Sequence, residues 1–280
     1  MRINYSCVVE NKEFYQKQGW LWLNSLIHFG KTDPKSIYVH CIEGTGRSYM
    51  EKCAGTGANV SVIRPFGDRK YCNKIPQMSN EKLKDSDAVV LMDTDMIMLE
   101  NFGHTIDRDR VGGKIVYMKN PETRIIDSLF ELAEVKKSLP DMPIESDGAY
   151  FTYGANFNGG LYVIPNKYCE TIRSGWEKWS VWMLENGKPL YEAKKENHID
   201  QLSFCMTVHE NRIPVKYLGH LYNYHILFDL GEKEKKPYVL HYHTQTDENN
   251  LIALDYVPEG QVKEAVLEAN RFIKKYIAML

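Results

Sequence analysis

The sequence predicts an α/β domain whose mainly parallel sheet is flanked by helices. Two observations carry that expectation. Strand-like and helix-like segments alternate from Tyr5 to Ile63, and a later run of apolar residues, Ala88-Val89-Val90-Leu91-Met92, leads directly into Asp93-Thr94-Asp95. An apolar run this short, with two β-branched residues, favours a strand buried on both faces. Ligands of such sheets gather at the carboxyl ends of strands, which is where Asp93 and Asp95 fall.

Taken in order, Tyr5-Ser6-Cys7-Val8-Val9 reads as the first strand, followed by an amphipathic helix that places Trp20, Leu23, Leu26 and Ile27 on one face and stops at Gly30. Ser36 to Ile42 is a second strand, the stretch between Gly44 and Gly55 a short helix, and Val60-Ser61-Val62-Ile63 a third strand. This β-α-β-α-β pattern is that of a nucleotide-binding half. The first strand is followed by Glu10-Asn11-Lys12-Glu13-Phe14-Tyr15, with no G-x-G-x-x-G or G-K-[ST], so a dinucleotide or P-loop fold is not expected.

Beyond the acidic strand, Lys114 to Met118 is expected as a strand, and Pro121 to Leu139 as a helix with Ile126, Leu129, Leu132 and Val135 in helical register. Pro140 to Gly154 reads as a loop facing substrate. Phe157-Asn158-Gly159-Gly160-Leu161-Tyr162-Val163-Ile164 opens a strand on two glycines, a feature either of a plain turn or of close backbone approach to a ligand. A helix carrying Ile172, Trp176, Trp179 and Met183 follows, its aromatic stripe read as core, and then a helix opening near Asp200, whose plain role is a cap. Ile213 to Tyr217 and Tyr238 to His243 read as late strands. The last helix, from Gln261, has an apolar face expected to pack on the domain, with weak contact to a membrane surface or partner as the alternative.

Three Asp-x-Asp pairs occur, Asp85/Asp87, Asp93/Asp95 and Asp107/Asp109, so the spacing alone decides little. The middle pair directly follows an apolar strand; the first resembles a solvated turn and the third an exposed charge-alternating segment. Two carboxylates at a strand end repel each other unless a cation neutralises them, which favours a hard divalent ion over two solvated turn residues.

Composition narrows the class. The chain is 43% hydrophobic with a formal charge of -2, as for a globular protein with a sizeable core, and it has no bulk basic excess that would indicate nucleic acid. Its six Cys show no C-x-x-C pair, which argues against a zinc ribbon or a disulfide framework and makes a reducing cytoplasm the simplest compartment. No apolar run is long enough for a membrane span, and no signal-type segment opens the sequence.

In this order the motifs resemble those of the metal-dependent nucleotide-sugar glycosyltransferases of the GT-A fold, particularly the glycogenin-like and bacterial lipopolysaccharide galactosyltransferase group. Val89 to Asp95 is similar to that group's strand and Asp-x-Asp. Asn73-Lys74-Ile75 resembles its donor-binding lysine segment, Phe157 to Ile164 its F-N-S-G strand, Asp200-Gln201 its D-Q pair and Leu240-His241-Tyr242 its histidine strand. Each motif is weak alone, and their shared order gives the match its specificity. The resemblance implies a single GT-A domain with a Rossmann-like mixed, mainly parallel sheet. It divides into a nucleotide-binding half (1–99), a donor and acceptor half (100–257) and a C-terminal helix (258–280).

The resemblance further implies that Asp93, Asp95 and His241 bind a divalent cation, Mn²⁺ or Mg²⁺, bridging the diphosphate of a sugar nucleotide, with UDP-sugar as the expected donor. One imidazole beside two carboxylates favours Mn²⁺. Lys74, Thr94 and Asn158 would face the donor, Gly159 and Gly160 would let it approach, Asp200 and Gln201 would lie at the reacting sugar, and Tyr15 (or Phe14) would stack on the base. The acceptor is expected to be a saccharide, a glycoconjugate or a protein. In the family the histidine motif continues with Gly and Lys-Pro-Trp. Here His241 precedes Tyr242-His243-Thr244-Gln245, so the late lysine contact has no counterpart and the inference of a retaining transfer is weakened. A protonated His243 is the expected substitute at the diphosphate.

Two rivals share parts of the pattern. Haloacid-dehalogenase-like phosphatases set D-x-D after an apolar strand with the first Asp as nucleophile, although near the chain start and with Thr or Val where Ile97 stands here. A non-catalytic carbohydrate- or nucleotide-binding relative is the other.

Overall fold

The computed structural model describes the chain except residues 145, 228–233 and 256. In order, its elements are β1 (Ile3–Val9), α1 (Glu13–His28), β2 (Ile37–Ile42), α2 (Arg47–Gly55), β3 (Asn59–Ile63), β4 (Ala88–Met92), β5 (Met96–Met98), β6 (Val111–Ile115), α3 (Thr123–Leu132), β7 (Met142–Ile144), β8 (Asp147–Thr152), β9 (Phe157–Pro165), α4 (Asn166–Asn186), α5 (Lys188–Glu192), α6 (Ile199–Glu210), β10 (Val215–Tyr217), β11 (Tyr224–His225), β12 (Val239–His241) and α7 (Gln261–Ile277).

A seven-stranded sheet runs in the order β10-β6-β9-β4-β1-β2-β3. β1 pairs parallel with β2 and β4, β2 with β3, and β10 with β6, whereas β9 runs antiparallel to both β4 and β6. The sheet is therefore mixed and mainly parallel, with one reversed strand. β4 shows why its sequence is apolar throughout: Val89 and Leu91 join the core that contains Trp176 and Phe204, while Val90 and Met92 join the opposite core around Trp22 and Leu23. The reversal of β9 brings its beginning beside the carboxyl end of β4. Met92 lies opposite Leu161, and the Asp93 N–H donates to the Gly160 carbonyl at 2.9 Å.

A three-stranded sheet, β11-β12-β5, stands next to that end. β11 pairs parallel with β12, setting His225 opposite His241, and β12 pairs antiparallel with β5, setting His241 opposite Met96. Asp95, one residue before β5, accepts the Tyr242 N–H on its backbone carbonyl at 3.1 Å.

Several boundaries differ from expectation. The strand expected over Lys114 to Met118 is β6, which starts three residues earlier and includes Gly112 and Gly113. A Cβ on Gly113 would stand 2.4 Å from Phe157 Cγ, so the glycine is where the aromatic ring of β9 lies across the neighbouring strand. The helix expected to reach Leu139 ends at Leu132. Glu134 turns left-handed at φ 54, and the Val135 N–H returns to Phe130 O at 3.0 Å, a Schellman closure that still tucks Val135 against the core. The expected loop from Pro140 to Gly154, of which residue 145 lies outside the described residues, contains the antiparallel pair β7 and β8. The strand expected over Tyr238 to His243 stops at His241, since His243 has φ 51.

α7 resolves the two readings of its apolar face in favour of packing. Val262, Ala265, Val266, Ala269, Phe272 and Ile273 are buried, Phe272 lies against Phe29, and Trp20 Nε1 of α1 donates to Tyr276 O at 2.9 Å. The expected membrane-surface or partner contact thus loses its apolar face to the domain itself. Among the described residues no helix is long and apolar enough to cross a membrane. All six cysteines are buried and unpaired.

Candidate functional site

The carboxyl ends of β1 and β4, the start of β9, the first turn of α6 and the end of β12 converge on a cleft of about 890 Å³. Every residue singled out from the sequence lines it: Tyr15, Lys74, Asp93, Thr94, Asp95, Asn158, Gly159, Gly160, Asp200, Gln201, His241 and His243. Phe14 and Tyr15 stand edge to face at 5.3 Å, and Tyr71 lines the same cleft.

Lys74 is the hub of one wall. Its Nζ lies 3.0 Å from Asp93 Oδ1, 3.1 Å from Asp200 Oδ2 and 3.1 Å from the Gly159 carbonyl, so its three hydrogens are all engaged. Burial works against the ammonium charge, yet Asp93 and Asp200 hold its pKa well above the usual lysine range. Burial pushes the Asp200 carboxyl up from its ordinary value while Lys74 pulls it down. One ammonium serving two carboxylates leaves this trio with a formal charge of -1. Asp200 is not a cap: α6 has His198 at its N-cap position, and the Asp200 side chain turns instead to Lys74. Gln201 is committed differently, its Nε2 donating to Asn120 O at 3.1 Å and Asn156 Oδ1 at 2.6 Å, while its carbonyl oxygen, which also faces the His198 ring, keeps a lone pair to offer.

The opposite wall is set by a chain of amides. Asn158 Oδ1 accepts from the Gly160 N–H at 3.0 Å, which fixes the orientation of that amide, and it also accepts Asn223 Nδ2 at 2.9 Å. Asn223 therefore presents its Oδ1 to His241 Nδ1 at 2.8 Å, and that nitrogen must carry the proton. In the neutral ring, the remaining nitrogen of His241, Nε2, faces Asp95 Oδ1 at 3.3 Å with a lone pair. Asp95 Oδ1 is itself buried without a hydrogen-bond donor. Two electron pairs pointed at each other are stable only with a proton or a cation between them. Asp93, Asp95 and His241 bring one ligand atom each to within 4.8 Å of one another, and their oxygen and nitrogen donors suit a divalent ion such as Mn²⁺.

His243 adds a second imidazole, its Nδ1 3.7 Å from Asp95 Oδ2 and its ring centroid 3.8 Å from that of His241. Burial, then the neighbouring His241, pushes its pKa down to about 4, so it is neutral at pH 7 and not the protonated group expected at the diphosphate. Thr94 approaches Gln18 Oε1 at 3.4 Å, and Gln18 Nε2 approaches the His243 carbonyl at 3.4 Å, tying α1 to both halves of the site. Gly160 is required by closeness. A Cβ there would stand 2.6 Å from His241 Cε1 and 3.0 Å from Asn158 Oδ1, whereas a Cβ on Gly159 would meet Lys74 Nζ at 3.3 Å.

Asn223 and His225 escaped the sequence reading. Nothing in the local pattern Tyr222-Asn223-Tyr224-His225 marks either residue; only the parallel pairing of β11 with β12 sets them beside His241. Gln18 was likewise hidden within an amphipathic helix.

No family model matches the sequence, and no curated protein matches it. Solved structures do resemble the fold. Galactosyltransferase LgtC in complex with donor and acceptor sugar analogues matches at a TM-score of 0.54 and 12% identity, over 98% of this chain and 96% of that one. The apo form of glycosyltransferase GlyE of Streptococcus pneumoniae matches at a TM-score of 0.54 and 15% identity, with all of this chain spanning 64% of that one. The bifunctional glycosyltransferase WbbM matches at 0.52 and 12%, with 98% of this chain spanning 51% of that one. The fold of this chain is therefore that of the GT-A glycosyltransferases.

Proposed function

We propose that the protein transfers a sugar from a nucleoside diphosphate sugar, with UDP-sugar the first choice, to a saccharide, glycoconjugate or protein acceptor. The observation that carries this reading is the meeting, in one cleft, of the Asp93/Asp95/His241 group with the buried ammonium of Lys74. Asp93, Asp95 and His241 would hold a divalent cation, whose contribution is positive charge for the donor diphosphate.

The chain's own groups supply the rest. Lys74, held between Asp93 and Asp200, offsets one of their two charges beside the diphosphate and fixes both carboxylates in place. Gly159 and Gly160 keep the start of β9 bare so that the donor sugar can lie against backbone. Asn158, whose Oδ1 is committed to Gly160 and Asn223, offers Nδ2 to a sugar hydroxyl. Asp200, on the far side of Lys74, and the carbonyl oxygen of Gln201 orient the reacting sugar; Phe14, Tyr15 and Tyr71 give the base an aromatic rim. A retaining outcome and a cytoplasmic location belong to the same proposal, the latter supported by six unpaired thiols.

The test is nucleotide release from a panel of UDP- and GDP-sugars with Mn²⁺ and after chelation. Release that needs both a sugar nucleotide and a divalent cation is expected. Release of phosphate from simple phosphoesters, with no use of any sugar nucleotide, would point to the phosphatase rival.

A further inference from the structure

A second cluster of ligands shares this wall. His225, His241 and His243 bring one ring nitrogen each to within 4.8 Å of the others. Their ring centroids are 4.8 Å (His225 to His241), 4.7 Å (His225 to His243) and 3.8 Å (His241 to His243) apart. The arrangement is built by backbone: β11 and β12 place His225 and His241 in register, and the left-handed turn at His243 folds its ring back beside them. Asp95 closes the edge, within 3.3 Å of His241 Nε2 and 3.7 Å of His243 Nδ1. His241 and His243 line the cleft, so the trio is reached from solvent through it.

We propose that His225, His241 and His243, with Asp95, form a site for a borderline transition-metal cation of the Zn²⁺ class, and that its occupancy excludes a cation from the Asp93/Asp95/His241 group. The ligand chemistry separates the two sites. Three imidazoles and one carboxylate suit Zn²⁺, Ni²⁺ or Cu²⁺, whereas the carboxylate pair with one imidazole is the harder set. A tetrahedral cation with nitrogens at 2.0–2.1 Å draws them to about 3.4 Å apart, an adjustment of about an ångström for side chains at strand ends. Exclusion follows from the tautomer: His241 Nδ1 carries the proton given to Asn223, so Nε2 has one lone pair and serves one cation at a time. The proposal stands on this geometry and does not depend on the transferase reading.

The test is Zn²⁺ uptake alone, by competition with a chromophoric chelator, in metal-stripped wild type and in His225→Gln, His243→Ala and Asp93→Asn. Wild type is expected to take up one Zn²⁺. His225→Gln and His243→Ala should each bind about tenfold more weakly or worse, while Asp93→Asn stays within about threefold of wild type. His243 is partly exposed, so His243→Ala serves even if His225→Gln fails to fold. A wild type that takes up no Zn²⁺ overturns the proposal. So does an affinity lost in Asp93→Asn and kept in His243→Ala, which would put the cation at the carboxylates instead. Nucleotide release with Mn²⁺, measured separately, reports on the transferase reading and is untouched by either result.

Discussion

Removing the charge of Lys74 exposes how the site is held together before any ligand arrives. In Lys74→Met the ammonium that contacts Asp93 at 3.0 Å and Asp200 at 3.1 Å is replaced by an apolar side chain of similar length. Asp93, with a side chain 36% exposed, can turn to water; Asp200, at 5%, cannot. Stranding one partner of a buried ion pair costs about 3–5 kcal/mol, and the Asp200 carboxylate is the group that bears it. Protonation is its escape. In the variant the folded-state pKa of Asp200 rises far above its unfolded value of about 3.9, so the folded form binds the extra proton and stability falls as pH rises from about 4. The loss relative to wild type should therefore be near the full 3–5 kcal/mol at pH 8 and markedly smaller at pH 5. Urea unfolding followed by the fluorescence of the five tryptophans measures it. Lys74→Met/Asp200→Asn, which removes the stranded charge, should recover most of the loss. A destabilisation equal at both pH values, or a double variant no more stable than the single one, would refute the reasoning.

Gly160→Ala should abolish cation-dependent nucleotide binding because its Cβ occupies the space of His241 Cε1, 2.6 Å away, whereas Gly159→Ala, with its nearest neighbour at 3.3 Å, should keep it; calorimetric titration separates them. Asn223→Leu should weaken cation affinity about 10–100-fold while His241 stays in place, since it releases the tautomer that Asn223 imposes; rescue by Asn223→Asp would support an acceptor role. His40 is buried with a pKa pushed down to about 4, donating Nδ1–H to Ser6 Oγ, whose own hydrogen goes to Gln77, and accepting Asn80 Nδ2. The unfolded state takes the proton first, so His40 stabilises fully above about pH 6.5, and about 3 kcal/mol is lost as pH falls to 4. His40→Gln should flatten the stability profile over that window by the same amount, and an unchanged slope would contradict the assignment.

Much of this site was legible because strand chemistry is local. The apolar run before Asp93 and the paired glycines after Asn158 announce themselves, and a parallel-sheet rule places the first at a ligand-binding edge. The lysine segment and the D-Q pair gained meaning only by resemblance, since neither Lys74 nor Asp200 has a local signature; their ion pair joins residues far apart in sequence. Where pairing across the chain decides, the sequence was mute. The strand expected from Lys114 starts at Val111 instead, and nothing local reveals the Phe157 ring that lies over Gly113. His225 has no local signature, because its partners are His241 at the end of β12 and His243 just beyond it. His241 and His243 do face the same carboxylate, as alternation along a strand suggests, but by a different route: the strand ends at His241 and a left-handed residue turns His243 back.

The central claim is that the carboxylate and imidazole group and the nucleotide act together, and thermodynamic linkage tests it most directly. UDP should be titrated calorimetrically into metal-stripped protein with and without Mn²⁺, and Mn²⁺ with and without UDP, in wild type and Asp95→Asn. If Asp93, Asp95 and His241 hold a cation that the diphosphate also contacts, each ligand raises the affinity of the other by the same factor, expected at tenfold or more. That coupling should vanish in Asp95→Asn. UDP binding of equal strength with and without Mn²⁺ in wild type, or coupling that survives in Asp95→Asn, would contradict the account.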